Sequence, residues 1–257
     1  MRETLNSPHS GFALPAVRRI SWSSPLAWLS AGWRDLKANP LPSLAYGLLF
    51  ALGGDLIILA TLDRPHLVTV AVSGFFLIAP LLAAGLYELS RRTAAGESIL
   101  FIDSLACFRL NGESLALFGL LLALIAIMWE RFSAIAFALL GSNSGGSAGV
   151  FLSRIVLSGE HTAFIATWFA LGAVLAAAVF ALSVITAQII LDRDADIATA
   201  VMASLRAFSA NSGPLLLWAA LIVALTLLGF ATLLFGLVVI MPILGHASWH
   251  AYRELVE

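Results

Sequence analysis

Apolar residues in this chain gather into long unbroken blocks, with the polar positions confined to short segments between them. A helix rises about 1.5 Å per residue and the hydrocarbon layer of a bilayer is about 30 Å thick, so a crossing needs roughly 20 apolar residues. Residues 41–61 and 67–89 meet that length, and the intervening "LDRPH" (62–66) is turn material, so the two predict a helical hairpin. Residues 113–128 predict a third span, and 162–191 a fourth with length to spare for tilt. From Pro214 to Trp249 no Asp, Glu, Lys or Arg occurs. One straight helix of that length would reach about 54 Å, nearly twice the bilayer. The pattern therefore predicts a break near "LLGF" (227–230), where Gly229 accepts turn geometry, giving spans at about 213–228 and 230–250. Between spans three and four, the short apolar stretch 132–140 and the "GSNSGGSAG" that follows read as an excursion along the membrane interface.

A phrase recurs. "WLSAGWRDLKANPLPSLAYGLLFALGGD" (28–55) returns as "VMASLRAFSANSGPLLLWAALIVALTL" (201–227), matching Arg34 to Arg206, Asn39 to Asn211 and Pro42 to Pro214. A looser third copy, 98–122, again has Arg109 and Asn111 ahead of its apolar run. The second helices repeat as well: 76–92 is similar to 238–254, with Pro80 against Pro242, and 183–196 takes the same place with Gln188 where proline would stand. The expected fold is thus all-α: a polytopic transmembrane helix bundle of about six spans, built as three parallel-repeat hairpins, each preceded by an amphipathic interfacial helix. In each copy the Asn turns the chain from the surface into the bilayer, while Trp28 and Trp33 sit at headgroup depth and Arg34 and Lys37 face anionic lipid. Residues 1–20 read as a flexible lead and 21–257 as one transmembrane domain.

Composition agrees. The 257 residues are 60% hydrophobic and 11% charged, with a mean hydropathy of +0.97, whereas soluble chains run near 45–50% apolar and about 25% charged. A net charge of -1 offers no footprint for nucleic acid, and the single Cys107 rules out an internal disulfide or a cysteine metal cluster. Eleven of the fourteen Lys and Arg residues fall on the side that holds both termini, so the positive-inside rule places both ends in the cytoplasm of an inner membrane.

At "ILDRDADIATAVMASLRAFSANSGPLLLWAALI", "MPILGHASWHAYRELV" and "PLAWLSAGWRDLKANPLPSLAYGLLFALGG" the chain resembles a bacterial, mainly proteobacterial, family of predicted integral membrane proteins of unknown function. Members often carry proline where this chain has Gln188. The resemblance brings no activity with it. Some members bear the label cytochrome c oxidase subunit I, which implies twelve spans and histidines on two haems and a copper; five histidines and about six spans do not fit that chemistry.

Several residues are candidates for chemistry. Asp55 lies within the first span, where an ionised carboxylate in lipid costs a few kcal/mol, and so calls for a partner such as Arg64 or Arg131, or for a proton or substrate relay. Gln188 is a second polar group inside a span. His246 and His250, at i and i+4, share a helix face but read more simply as interfacial residues beside Trp249 and Tyr252. "LDRDAD" (191–196) holds three carboxylates yet lacks the Gly and Glu of a calcium loop, and reads as a helix cap. Small residues Ala173, Ala177 and Ala181, and likewise Thr232 and Gly236, recur every four positions and suit a close helix contact or a homo-oligomer face. No catalytic, cofactor or metal motif stands out, and the acting surface reduces to Asp55, Gln188, Arg131, Arg34, Asn39, Arg206 and Asn211. Two functions follow. One is an accessory or scaffold component of a membrane complex, with the lipid bilayer and another membrane protein as partners; the other is a small-molecule or proton-coupled carrier with a cavity among the hairpins.

Overall fold

The computed structural model describes residues 15–61, 83–97, 100–107, 112–139 and 162–256. The expectations that fall on 62–82, 98–99, 108–111 and 140–161, among them most of the second span, Arg64, Arg109 and Asn111, lie outside the described residues. Helices run in the order α1 (Ser24–Ala38), α2 (Pro40–Thr61), α3 (Ala84–Ala94), α4 (Phe101–Ser104), α5 (Gly112–Leu139), α6 (Thr162–Ser183), α7 (Thr186–Arg193), α8 (Ile197–Ala210), α9 (Ser212–Ala231) and α10 (Leu237–Leu255). Among the described residues, four stretches are long and apolar enough to cross a membrane: Pro40–Leu59, Gly112–Ser133, Thr162–Arg193 and Ser212–Ala231. Their outward faces carry large apolar side chains such as Leu56, Leu124, Phe169 and Leu227, the surface a bilayer accommodates.

The architecture centres on α10. Glu254 meets Ser24 and Trp28, a Cβ on Gly32 would press on Ile243 and Ala247, and one on Gly47 would overlap the Val238 carbonyl. So α1 and then α2 run antiparallel along α10, from its last turn to its first. Helix α3 closes the other side, with Leu86 against Gly245 and Tyr46 of α2 filling the space beside Gly85. Glycines at these crossings let backbones approach closely enough for the buried polar groups of facing helices to bond. Helix α9 pairs antiparallel with α10, because Asn211 at its start and Leu255 at the far end of α10 both bond to the Arg18–Ile20 segment. Trp28 and Trp218 meet edge to face at 5.6 Å in the core.

The repeated phrase has a shared backbone form. Asn39 and Asn211 each end one helix and begin the next, with φ -131 and -135, and each donates its backbone N–H into the last turn behind it. The Asn side chains diverge: Asn39 donates to Thr93 at 2.7 Å, while Asn211 donates to the Arg18 carbonyl and accepts from the Ile20 N–H, both at 2.9 Å.

Several details depart from the sequence reading. Helix α5 continues through Trp129, Glu130 and Arg131 to Leu139, so 132–139 prolongs the third span where an interfacial excursion was expected. Nothing in "WERFSAIAFAL" breaks a helix, and Trp129 stacks on Trp168 of α6 at 5.5 Å, which carries the pairing past the charges. The uncharged run from Pro214 does break, but after Gly229: residues 232–236 form the turn, with Leu233 and Leu234 at φ 53 and 68. Thr232 holds it by donating to the Gly229 carbonyl and accepting from the Gly236 N–H, so Thr232 and Gly236 build a turn rather than a helix contact face. Gly229 itself is helical and leaves room for Leu237. The 162–191 stretch bends at Val184 and Ile185 without a proline. Trp28 is buried within the protein at 2% exposure; Trp33, at 42%, is exposed with Lys37 over its ring. Of "LDRDAD", Asp196 caps α8 through Thr199, Asp194 takes a left-handed conformation, and Asp192 turns to Tyr252.

Candidate functional site

Four helices bring their polar residues to one buried point. His246, on α10, is wholly buried. Its Nε2 lies 2.9 Å from the Ser43 hydroxyl in the first turn of α2, and its Nδ1 lies 2.7 Å from the Ser90 hydroxyl of α3. Ser90 donates to Asp35 Oδ2 at 2.6 Å, and His250 Nε2 lies 2.9 Å from the same oxygen. Ser43 and Ser90 are buried, at 0% and 1%, while His250 reaches the surface. The chain Ser43, His246, Ser90, Asp35, His250 thus runs from the interior outward.

Proton placement follows from counting donors. An ionised carboxylate only accepts, so Ser90 spends its one hydrogen on Asp35 and can only accept from His246. Nδ1 of His246 therefore carries the proton, and in the neutral ring Nε2 accepts from Ser43. Burial pushes the Asp35 carboxyl up, but the bonds from His250 and Ser90 outweigh it and hold the group below the usual carboxylate range.

A second cluster lies one turn further along α10. Tyr252 donates to Asp192 at 2.6 Å and accepts from Arg193 at 3.2 Å, and Arg253 stands 3.7 Å from Asp192. Burial, then the Asp192 carboxylate at its hydroxyl, pushes Tyr252 up to about 12. Beside it on α3, Glu88 accepts from both Arg91 and Arg92.

The residues singled out from sequence do not share one site. Gln188 is buried against α10, with its amide nitrogen 3.4 Å from the Ser248 carbonyl and its Oε1 without a partner among the described residues. Asp55 is half-buried on α2, next to Gly54, which packs on Leu234. Ser248 lies toward the end of α10 and Leu234 in the turn before its start, and the helical stretch from Leu237 to Ser248 alone spans about 16 Å at 1.5 Å per residue, so the two polar residues face different ends of the bundle. Arg131 pairs with the adjacent Glu130 at 2.8 Å, and Arg34 and Arg206 are exposed on α1 and α8. Asn39 and Asn211 serve the helix junctions.

The buried cluster was only half legible. The i, i+4 histidines share a face as the spacing requires, yet His246 lies in the core and not in an aromatic belt. Ser43, Ser90 and Asp35 come from three other helices, and no spacing along the chain announces them. A histidine set inside a run otherwise free of charge was the available signal. Among the described residues, no group of three or more His, Cys, Asp or Glu side chains is placed to hold a metal ion.

Apolar helices of spanning length are what a bilayer protein requires, and comparison with known proteins agrees. Residues 67–192 match a family described as predicted integral membrane protein (DUF2189). The match covers a little under half of the chain. The protein is an integral membrane protein with several apolar helices, and the matching family has no assigned activity. No curated protein and no solved structure matches the chain.

Proposed function

We propose that the protein is a non-catalytic accessory or scaffold component of a membrane complex, seated in a bacterial inner membrane with both termini in the cytoplasm. The observation that carries this reading is the separation of Asp55 from Gln188: a carrier built on them needs both in one cavity, and they face opposite ends of α10. The interior hydroxyls, imidazole and carboxylate of the hub meanwhile bond helix to helix. Such a bundle suits a rigid body that presents surfaces, and α1 and α8 offer theirs through Trp33, Arg34, Met202 and Arg206.

The test is affinity purification of the full chain in mild detergent. Recovery of one envelope complex at fixed stoichiometry supports the reading. Repeated recovery of the protein alone, together with solute uptake by reconstituted vesicles that Asp55→Asn abolishes, would replace it with the carrier.

A further inference from the structure

We propose that His246 is a proton-binding site that couples acidity on the α1 side of the membrane to the grip of α1, α2 and α3 on α10. The grounds are the hydrogen-bond count and the seclusion of the ring. Each of the three helices is held to His246 by polar groups: α2 by Ser43, α3 by Ser90 and the Leu86 carbonyl, and α1 by Asp35 through Ser90. In the neutral ring every donor has an acceptor: Ser43 to Nε2, Nδ1 to Ser90, Ser90 to Asp35.

A proton added at Nε2 turns the Ser43 acceptor into a donor, so that bond survives only if the hydroxyl rotates. The imidazolium then sits where no water reaches it. Few charges face it. Asp35 comes from α1 and is already shared with His250 of α10. Helix α2 contributes only the Ser43 hydroxyl, with Tyr46 one turn on directed at Ser104. Glu88 of α3 is engaged by Arg91 and Arg92, and Asp192, with Arg193 and Arg253 near it, lies at Tyr252. Helix α9 has no ionisable residue to offer, and α7 brings the neutral Gln188 to α10 at Ser248. A single carboxylate thus stands against two imidazoles, and a buried charge without full compensation is costly.

Loosening the helices admits water to the ring, so the open form binds the proton more readily. By linkage, acid then favours opening. The bonds that lead in from solvent-reaching His250 end at Nδ1, which already carries a proton, so Nε2 takes one only from water admitted as the helices part. An outward-facing histidine alone would titrate without moving a helix; the coupling arises because the second histidine holds three helices at once.

The experiment is hydrogen exchange of the full chain in detergent at pH 7.5 and at about 5.5, a unit below the ordinary histidine value of about 6.5, corrected for intrinsic exchange. The expected result is a loss of protection in residues 24–38 approaching about ten-fold on acidification, the limit for one proton taken up with the ordinary histidine value, and largely absent in His246→Gln. Histidine nitrogen NMR gives a second readout, which does not need the variant to fold. It should show His246 protonated at Nδ1 and bare at Nε2 at neutral pH, the tautomer that the hydrogen-bond count requires. Equal protection of α1 at both pH values would overturn the proposal. So would a wild-type pH response retained in His246→Gln, or a His246 ring found at neutral pH with its proton on Nε2.

Discussion

The indole of Trp28 donates to the Glu254 carboxylate at 2.6 Å, joining the first helix of the chain to the last turn of its final one. Ser24 donates to the other oxygen of the same carboxylate at 2.7 Å, so one side chain holds the N-terminal half of α1. Hydrogen bonds to a charged group contribute about 1.5–3 kcal/mol, and Trp28 would be left buried with an unpaired N–H. Glu254→Ala is expected to lower stability by about 2 kcal/mol, seen as a lower thermal midpoint in detergent and faster exchange in residues 24–32. Trp33→Phe, on the exposed face of α1, should leave both unchanged.

Glycine spacing makes a sharper test, because two glycines one and a half turns apart on α2 have opposite surroundings. A methyl at Gly47 would overlap the Val238 backbone, which cannot rotate aside, whereas one at Gly53 meets nothing within 4 Å. Gly47→Ala must push α2 off α10 and should cost about 1–3 kcal/mol or more. Gly53→Ala should be neutral or stabilise by up to about 1 kcal/mol, since alanine is the better helix former. Thermal midpoints of the two variants, measured side by side, decide whether α2 packs on α10 in this register.

These two cases show what a sequence carries and what it withholds. The helical character of the chain, the apolar blocks of crossing length at Pro40–Leu59 and Ser212–Ala231, and the Asn between two consecutive helices were all legible, because each depends on local length and pattern. The break in the long uncharged run was forced by length alone; its exact seat was not, since Thr232 and its hydrogen bonds placed it, against the general preference of Gly229 for turns. The hub around His246 was hidden for a different reason. Hydropathy records the cost of a buried polar residue but not its repayment by a partner some 200 positions away, as in Ser43 with His246. The burial of Trp28 was hidden by the same blindness: a tryptophan on an amphipathic helix gives no sign that Glu254 will satisfy its N–H.

The two repeated asparagines should differ in weight despite their matching positions. Asn211 bridges to Arg18 and Ile20, a segment that also bonds Leu255, while the side chain of Asn39 makes a single bond to Thr93. Asn211→Ala strands a backbone donor and acceptor and should cost about 1–3 kcal/mol, against about 0.5–1.5 kcal/mol for Asn39→Ala. Limited proteolysis near Arg18 and Arg19 provides the readout: cleavage should accelerate in the first variant and stay at the wild-type rate in the second.

Tyr252 offers a titration that reports the cluster at the end of α10 directly. Its phenol is neutral in the fold, donates to Asp192, and is pushed up to about 12 by burial and by that carboxylate. Because the folded value lies above the ordinary value of about 10, the group's contribution to stability is full below about pH 10 and is lost as pH rises through the folded value. Tyrosinate absorbance, taken as the difference between wild type and Tyr252→Phe, should therefore show a step near 12, with stability falling more steeply between about 10 and 12 in wild type than in the variant. Asp192→Asn removes the negative charge that opposes ionisation and should bring the step down toward 10. A wild-type step already at about 10 would mean that Tyr252 stands in water and that α7 does not reach α10.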